Sequence, residues 1–317
     1  MEACRCIVYA TSASFAEMNN TAKRLAVPIG ILWLACASSL PAQDLSRWMS
    51  QIPPASSIAE LAIPGTHDSG ALYENVRGAT KCQNLSISDQ LKIGVRFLDV
   101  RCRHVHDGFL IYHGSVYQRL SFEDVLKSCE SFLDQNPREC VIMSIQEEYK
   151  PKSNTRPFDR TVQAYLAADP KRWWLDDRIP TLGQAAGKIV LFRRFPTSST
   201  PLGLTAQPWP DNTNFSNTGP SFRLVVQDHY KLPNPREKLT AIEHEYQAAA
   251  KSDPNCLYVN FTSGYKPTRL SGIPAVENLV KPWLIAYLRN PAHPRNGITV
   301  LNFADETECR LLIRANK

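Results

Sequence analysis

The chain has 317 residues, 43% hydrophobic and 21% charged, with 23 prolines, nine cysteines and a formal net charge of +6. That length supports one large core or two small ones. The basic excess comes without a Lys/Arg run or a basic helix, so nucleic acid is not implied, whereas contact with an anionic surface is compatible with it.

In chain order, a targeting segment comes first. Lys23 and Arg24 precede the apolar run 25–37, and small residues with Pro41-Ala42 follow. This is the order of a secretory signal peptide, and the run is too short to span a bilayer. Met18 lies just upstream of the basic pair and is a second candidate start. Cleavage near Ala42-Gln43 is expected to leave residues 43–317 as the mature chain. A buried N-terminal helix and a lipid-modified Cys36 are the alternatives. Cys4, Cys6 and Cys36 would leave with the segment. Cys82, Cys102, Cys129, Cys140, Cys256 and Cys309 remain, and an even number in an exported chain predicts disulfides, Cys129–Cys140 among the possible pairs. The cysteines have no CxxC or His/Cys spacing that would suit a structural zinc.

Seven β-rich runs follow: "VRFLDVR", "GFLIYH", "CVIMSIQ", "KIVLFRRF", "FRLVVQD", "CLYVNFT" and "GITVLNF". Each has the Val/Ile/Phe richness of a strand. Between them lie helix candidates. In "SFEDVLKSCESFLDQNP", Phe122, Val125, Leu126, Cys129, Phe132 and Leu133 share one face. Ser121 there is an N-cap with Asp124 three residues on, and Pro137 is the stop. "PREKLTAIEHEYQAAAKS" and "AVENLVKPWLIAYLRN" are two more. Strands alternating with helices predict an α/β barrel or an open parallel sheet. No linker divides residues 43–317, which read as a single domain, and 196–220 reads as one long surface loop. Trp209 in that loop, with Trp173 and Trp174, is a candidate for either membrane-interface insertion or packing.

In "FLDVRCR", Asp99, Arg101 and Arg103 alternate with Leu98, Val100 and Cys102, so the charges share one face. Barrel interiors are normally filled with branched apolar side chains, so such charges suggest either a polar pocket or an outward-facing, solvated side. Two of the seven histidines stand out. His67 follows a Pro-Gly turn and precedes Asp68. His113 ends an apolar run at a strand exit, where barrel sites lie. Two imidazoles and a guanidinium suffice for phosphoryl transfer without metal: one takes a proton, the other gives one, and the Arg holds phosphate oxygens.

The ordered motifs "IPGTHDSG", "GVRFLDVRCR", "YHG", "VIMSIQEEY", "GKIVLFRRF", "VVQDHYK", "YVNFTS" and "RLLIRANK" resemble the bacterial-type phosphatidylinositol-specific phospholipases C, over about residues 46–317. The resemblance implies an α/β fold, a single-domain distorted TIM-type barrel, and metal-independent phosphodiester cleavage with no cofactor. It implies His67 as general base for the inositol 2-hydroxyl and His113 as general acid for the leaving diacylglycerol oxygen. Asp68 would support that acid. Arg101 falls at the phosphate-binding position, where calcium-dependent relatives place a metal carboxylate. Arg194, Asp228 and Tyr230 fall at inositol-binding positions. The implied partner is phosphatidylinositol, or a related phospholipid, at a membrane surface, met by a secreted monomer; glycosyl-phosphatidylinositol anchors share the head group.

Two positions depart from the pattern. Gln146 stands where the close bacterial enzymes carry a Lys at the inositol site. Asn302 stands where the family has an Asp that orients the base; Asp305, three residues on, is the substitute to consider. The departures leave two alternatives: a related phosphodiesterase with another head group, or a catalytically weakened head-group binder.

Overall fold

The computed structural model describes residues 44–250, 253–267, 272–294 and 297–316. The expected signal segment, with Cys4, Cys6 and Cys36, lies outside them. The described residues form one compact unit. Its elements run β1 (Ala62–Thr66), α1 (Ile87–Lys92), β2 (Phe97–Val105), β3 (Gly108–His113), β4 (Val116–Ser121), α2 (Phe122–Gln135), β5 (Val141–Glu147), α3 (Phe158–Ala168), β6 (Trp173–Trp174), α4 (Leu182–Ala185) and β7 (Ile189–Arg193). They continue with β8 (Leu204–Thr205), β9 (Phe215–Thr218), β10 (Arg223–Gln227), α5 (Arg236–Ala249), β11 (Cys256–Phe261), α6 (Gly272–Arg289), β12 (Gly297–Leu301) and α7 (Glu306–Ile313).

All seven sequence-read strands are present. α2 begins where its cap signal places it: Ser121 and Asp124 each accept the other's backbone N–H through their side chains. Its buried residues are Phe122, Val125, Cys129, Phe132 and Leu133, with Leu126 partly covered.

The parallel strands follow the order β7-β5-β2-β1-β12-β11-β10, with β9 antiparallel on β10. β6 and β8 share the outer edge of β7 at its two ends. Among the described residues no ladder joins that edge to β9 or β10, so the barrel is distorted and open on one side. Trp209 sits at the opening. Its ring meets Phe192 of β7, Phe215 of β9 and Phe261 of β11 edge-on, with centroids 6.3, 5.0 and 6.0 Å away. Side-chain packing there takes the place of strand pairing. The segment 196–220 is therefore not a plain loop, since it holds β8, β9 and this tryptophan. Trp173 and Trp174 are buried, which assigns all three tryptophans to packing.

Two layers of core follow from strand alternation. Ile63, Phe97, Ile142, Val190, Phe192, Val259 and Val300 fill the barrel interior. Leu98, Val100, Val141, Met143 and Leu191 face outward onto α1, α2 and α3. Phe97 being inward, Asp99 and Arg101 continue on the inner face toward the carboxyl ends of the strands. β2 then overshoots the barrel and turns back through His106-Asp107, both at positive φ (51° and 57°), into β3. That pair of left-handed residues gives a two-residue hairpin of matching twist. His113 is thus on an antiparallel hairpin strand, not at a barrel-strand exit. With Ile111 opposite Cys102, the returning strand brings His113 back to the barrel mouth.

The expected disulfides are not formed. All six cysteines of the described residues are free and buried. Cys129 points from α2 into the outer core while Cys140 faces the inner one, against the Met49 sulfur at 3.6 Å. Helix and strand therefore hold the two thiols on different faces. Burial pushes the Cys140 thiol up to about 12.

The amino-terminal side of the barrel is closed by a buried ion pair. Arg96 and Glu139 are 0% and 1% exposed and 2.9 Å apart. Arg96 also donates to the carbonyls of Leu91, Val95 and Ser46, and Glu139 accepts from the N–H groups of Met49 and Ser50. The pair ties the first described residues to β2 and β5. Arg96→Met strands the Glu139 charge and should lower unfolding free energy by about 3–5 kcal/mol. Arg96→Met with Glu139→Gln should lose less. Urea denaturation checks both, and equal losses would contradict the pairing argument.

Candidate active site

β1 ends in the turn that carries His67 and Asp68. The turn is fixed by the His67 N–H donating to the Leu301 carbonyl and by Ser69 N–H donating to the Asp99 carbonyl, at 2.9 and 2.8 Å. The Gln83 amide, held between strands, donates to the carbonyls of His67 and Leu301. Asp68 adopts a left-handed φ of 43°, a conformation with a cost that surrounding bonds must hold. Its N–H donates to Asp99 Oδ2 at 3.1 Å.

Asp99 is the hub. It is 0% exposed and accepts from Arg101 Nε and Nη2 at 3.1 Å each and from Arg194 Nη1 at 3.2 Å. Burial alone would raise its carboxyl, but Arg101 and Arg194 outweigh it and hold Asp99 at about 2. Sequence reasoning noted its strand face without giving it a role. The signal was there: two residues before Arg101, at an inward position, a carboxylate can reach the same guanidinium.

His67 lies between Asn302 and Arg101. Nδ1 is 2.9 Å from Asn302 Oδ1 and Nε2 is 3.0 Å from Arg101 Nη2. Arginine only donates, so Nε2 must accept, the imidazole is neutral, and its Nδ1–H donates to the Asn302 oxygen. Asn302, at the end of β12, therefore supports the tautomer a base needs. Asp305 does not take over this duty. It caps α7 by accepting from the N–H groups of Thr307 and Glu308, and it pairs with Lys281 at 3.1 Å. Burial, then the neighbouring Arg101 charge, push His67 down to about 3.

His113 faces His67 edge-on, with ring centroids 6.5 Å apart. Its Nδ1 is 2.8 Å from the Thr80 carbonyl and 3.5 Å from Asp68 Oδ2. Burial raises Asp68 to about 7, against the pull of His113 and Arg101. Arg101 Nε lies 3.7 Å from Asp68 Oδ2, so the one guanidinium contacts His67 and both carboxylates.

These groups open into a cleft of about 480 Å³ that also takes in Gln146, Arg194, Asp228, Tyr230 and Asn302. Every site residue expected from the sequence lines it except Asp68, which is buried behind His113. Arg194 lies over Trp209 at 3.7 Å, and Trp209 Nε1 donates to Asp228 Oδ2 at 2.9 Å. The tryptophan that closes the barrel thus also positions two side chains of the cleft, a role its loop position did not reveal. Tyr230 donates its hydroxyl to Asp211. Gln146 Oε1, Arg194 Nε and Ser263 Oγ are buried at the cleft with no hydrogen-bond partner. Buried polar atoms are rarely left so, and here they stand ready for a polar ligand. Arg103 leaves the cleft; it lies between the rings of Tyr112 and Tyr149, 4.9 Å from each.

At the carboxyl ends of a parallel α/β barrel, two imidazoles beside a guanidinium can move protons to and from one anion. The comparisons agree with that class. The family model "Phosphatidylinositol-specific phospholipase C, X domain" matches residues 62–195. A 1-phosphatidylinositol phosphodiesterase of Staphylococcus aureus (strain NCTC 8325) is 33% identical over 257 residues, covering 75% of this chain and 77% of the relative. The protein of the same name from Listeria monocytogenes is 27% identical over 287 residues, 86% and 85% of the two chains. Among solved structures, a variant of the S. aureus phosphatidylinositol-specific phospholipase C superposes with a TM-score of 0.79 at 26% identity, over 87% of this chain and 99% of that one. The L. monocytogenes enzyme gives 0.68 at 26% identity, over 87% and 100%. This chain belongs to the bacterial-type phosphatidylinositol-specific phospholipase C family.

Between its folded value of about 3 and the ordinary 6.5, the unfolded His67 binds the extra proton. Its contribution to stability is therefore present above 6.5 and is lost as pH falls through that window. A proton NMR titration of the His67 ring should find no protonation between pH 5 and 8, and a midpoint near 6.5 would contradict the geometry. Asn302→Asp should raise that midpoint, because a carboxylate on Nδ1 stabilises the imidazolium.

Proposed function

We propose that this chain is a metal-independent phospholipase C that cleaves phosphatidylinositol to diacylglycerol and inositol 1,2-cyclic phosphate. The observation that carries the reading is the neutral His67, its Nε2 held as an acceptor by Arg101, with the His113 ring facing it edge-on at 6.5 Å. His67 Nε2 removes the proton of the inositol 2-hydroxyl, which attacks phosphorus. His113 gives a proton to the glycerol oxygen as it leaves, and Asp68 stabilises the charged form of that ring. Arg101 carries the positive charge toward the phosphate oxygens that a calcium ion would otherwise supply. Asp99 keeps it in place.

The unpaired atoms of Gln146, Arg194 and Ser263 suit a ring rich in hydroxyls, with Asp228 and Tyr230 beside them. Gln146 leaves the head-group site without the extra cation of a Lys, which favours an inositol with no added phosphate. Residues 1–42 serve as the export signal and residues 43–317 as the catalytic domain, acting as a monomer at a membrane surface. One solved relative concerns modulation of the S. aureus enzyme's membrane binding. Among the described residues, Val76, Tyr117 and Tyr149 are the large hydrophobic side chains left exposed, and they suit such a contact.

Phosphorus NMR of vesicles containing phosphatidylinositol, with enzyme and EDTA, should develop a five-membered cyclic phosphate signal. His67→Ala and His113→Ala should each cut the rate by roughly 10²–10⁴. A substrate with a better leaving group should rescue only His113→Ala. Activity that disappears with EDTA and returns with Ca²⁺ would overturn the reading. Asn302→Asp should increase turnover, within the roughly 10⁴ that the reverse exchange costs in a serine-protease triad.

A further inference from the structure

One buried group touches the catalytic pair without a part in the proposed reaction. Cys82 lies between β1 and α1, 0% exposed. Its backbone is pinned on both sides, the N–H donating to the Ala71 carbonyl and the carbonyl accepting from the Phe303 N–H. Its sulfur is 3.7 Å from His113 Nδ1, which is itself 3.5 Å from Asp68 Oδ2. All three donor atoms lie within 4.8 Å of one another, and among the described residues no other such group of three comes together. A tetrahedral ion held at about 2.0–2.1 Å from N and O and about 2.3 Å from S separates its ligands by roughly 3.3–3.6 Å. Both distances to Nδ1 are already near that spacing.

A second observation is independent of the thiol. Both carboxylate oxygens of Asp68 are buried and lack a hydrogen-bond partner. One of them, Oδ2, faces His113 Nδ1 at 3.5 Å, with Arg101 Nε on its other side at 3.7 Å. One thiolate, one imidazole and one carboxylate favour zinc or cobalt over calcium or magnesium.

We propose that Asp68, Cys82 and His113 form an inhibitory site for a thiophilic divalent ion such as Zn²⁺. On binding, the thiol gives its proton to solvent and Asp68 offers an oxygen as the carboxylate, releasing a second proton wherever it was protonated. His113 now bonds the Thr80 carbonyl through Nδ1. That nitrogen turns its lone pair to the metal, and its proton moves to Nε2 through solvent, so the ring releases none. A ring with metal on Nδ1 cannot become the imidazolium that protonates a leaving oxygen. The inhibition rests on the acid role proposed for His113; the metal binding does not.

The test uses the full chain freed of metal with EDTA and then desalted. Titration with Co²⁺ should produce a near-ultraviolet thiolate-to-cobalt charge-transfer band at one ion per chain, absent from Cys82→Ser. Zn²⁺ should inhibit cleavage of phosphatidylinositol, and EDTA should reverse it. Cys82→Ser should raise the half-inhibiting Zn²⁺ concentration by an order of magnitude or more. No band in the wild-type protein overturns the site, a result that needs no folded variant. A band that persists in Cys82→Ser overturns it equally. A Cys82-dependent band without inhibition overturns the inhibitory role and argues against His113 as the acid.

Discussion

The Asp99 carboxylate, fully buried inside a parallel barrel, is the constraint on which the rest of the site depends. Ionised, it accepts from Arg101, from Arg194 and from the backbone of the turn that carries His67 and Asp68. Isolated in that interior it would be costly, and removing a partner from a buried pair strands a charge. With two guanidinium groups on it, the cost is offset and the geometry is set. Arg101 can then meet His67 on one side and Asp68 on the other. Arg194 is held flat on Trp209, which in turn bridges the open side of the barrel. The site and the irregularity of the fold are therefore one structure.

The same arrangement sorts the protons. His67 is half-buried beside a permanent cation and stays neutral, with Nε2 as the acceptor that meets Arg101. Asp68 is fully buried, with no hydrogen bond to its oxygens, and burial raises it to about 7 next to His113. Environment separates the groups that sit on one turn, and with them the roles proposed for each: a base at position 67 and, at 68, a carboxylate beside the opposite imidazole. Asn302 makes the orienting hydrogen bond to His67 without a charge. It therefore fixes the tautomer and gives the imidazolium less support than a carboxylate would.

Much of this was legible in the sequence. Strand composition and the capping box of α2 led to the right elements, because those signals are local. The turn "GTHDSG", the "YHG" end and the charges of "FLDVRCR" named most of the cleft. What sequence could not supply was long-range. That β3 folds back as a hairpin, and so delivers His113 from outside the barrel, depends on two non-glycine residues taking positive φ. The role of Trp209 depends on a gap between strands far apart in the chain. The even cysteine count suggested disulfides, yet all six described thiols are free; Cys129 and Cys140 are held in separate cores, and Cys82 lies against the proposed acid. Asp305, close to Asn302 in sequence, is committed to capping a helix.

The account rests on Asp99 organising the charge that acts on phosphate, and Asp99→Asn tests it most directly. The substitution is nearly isosteric and leaves Arg101 and Arg194 present but no longer ion-paired to that centre. The measurement is the initial rate of cyclic phosphate formation from phosphatidylinositol in EDTA, on protein whose circular dichroism matches wild type. The account predicts a fall of two orders of magnitude or more. A wild-type rate in Asp99→Asn would contradict it.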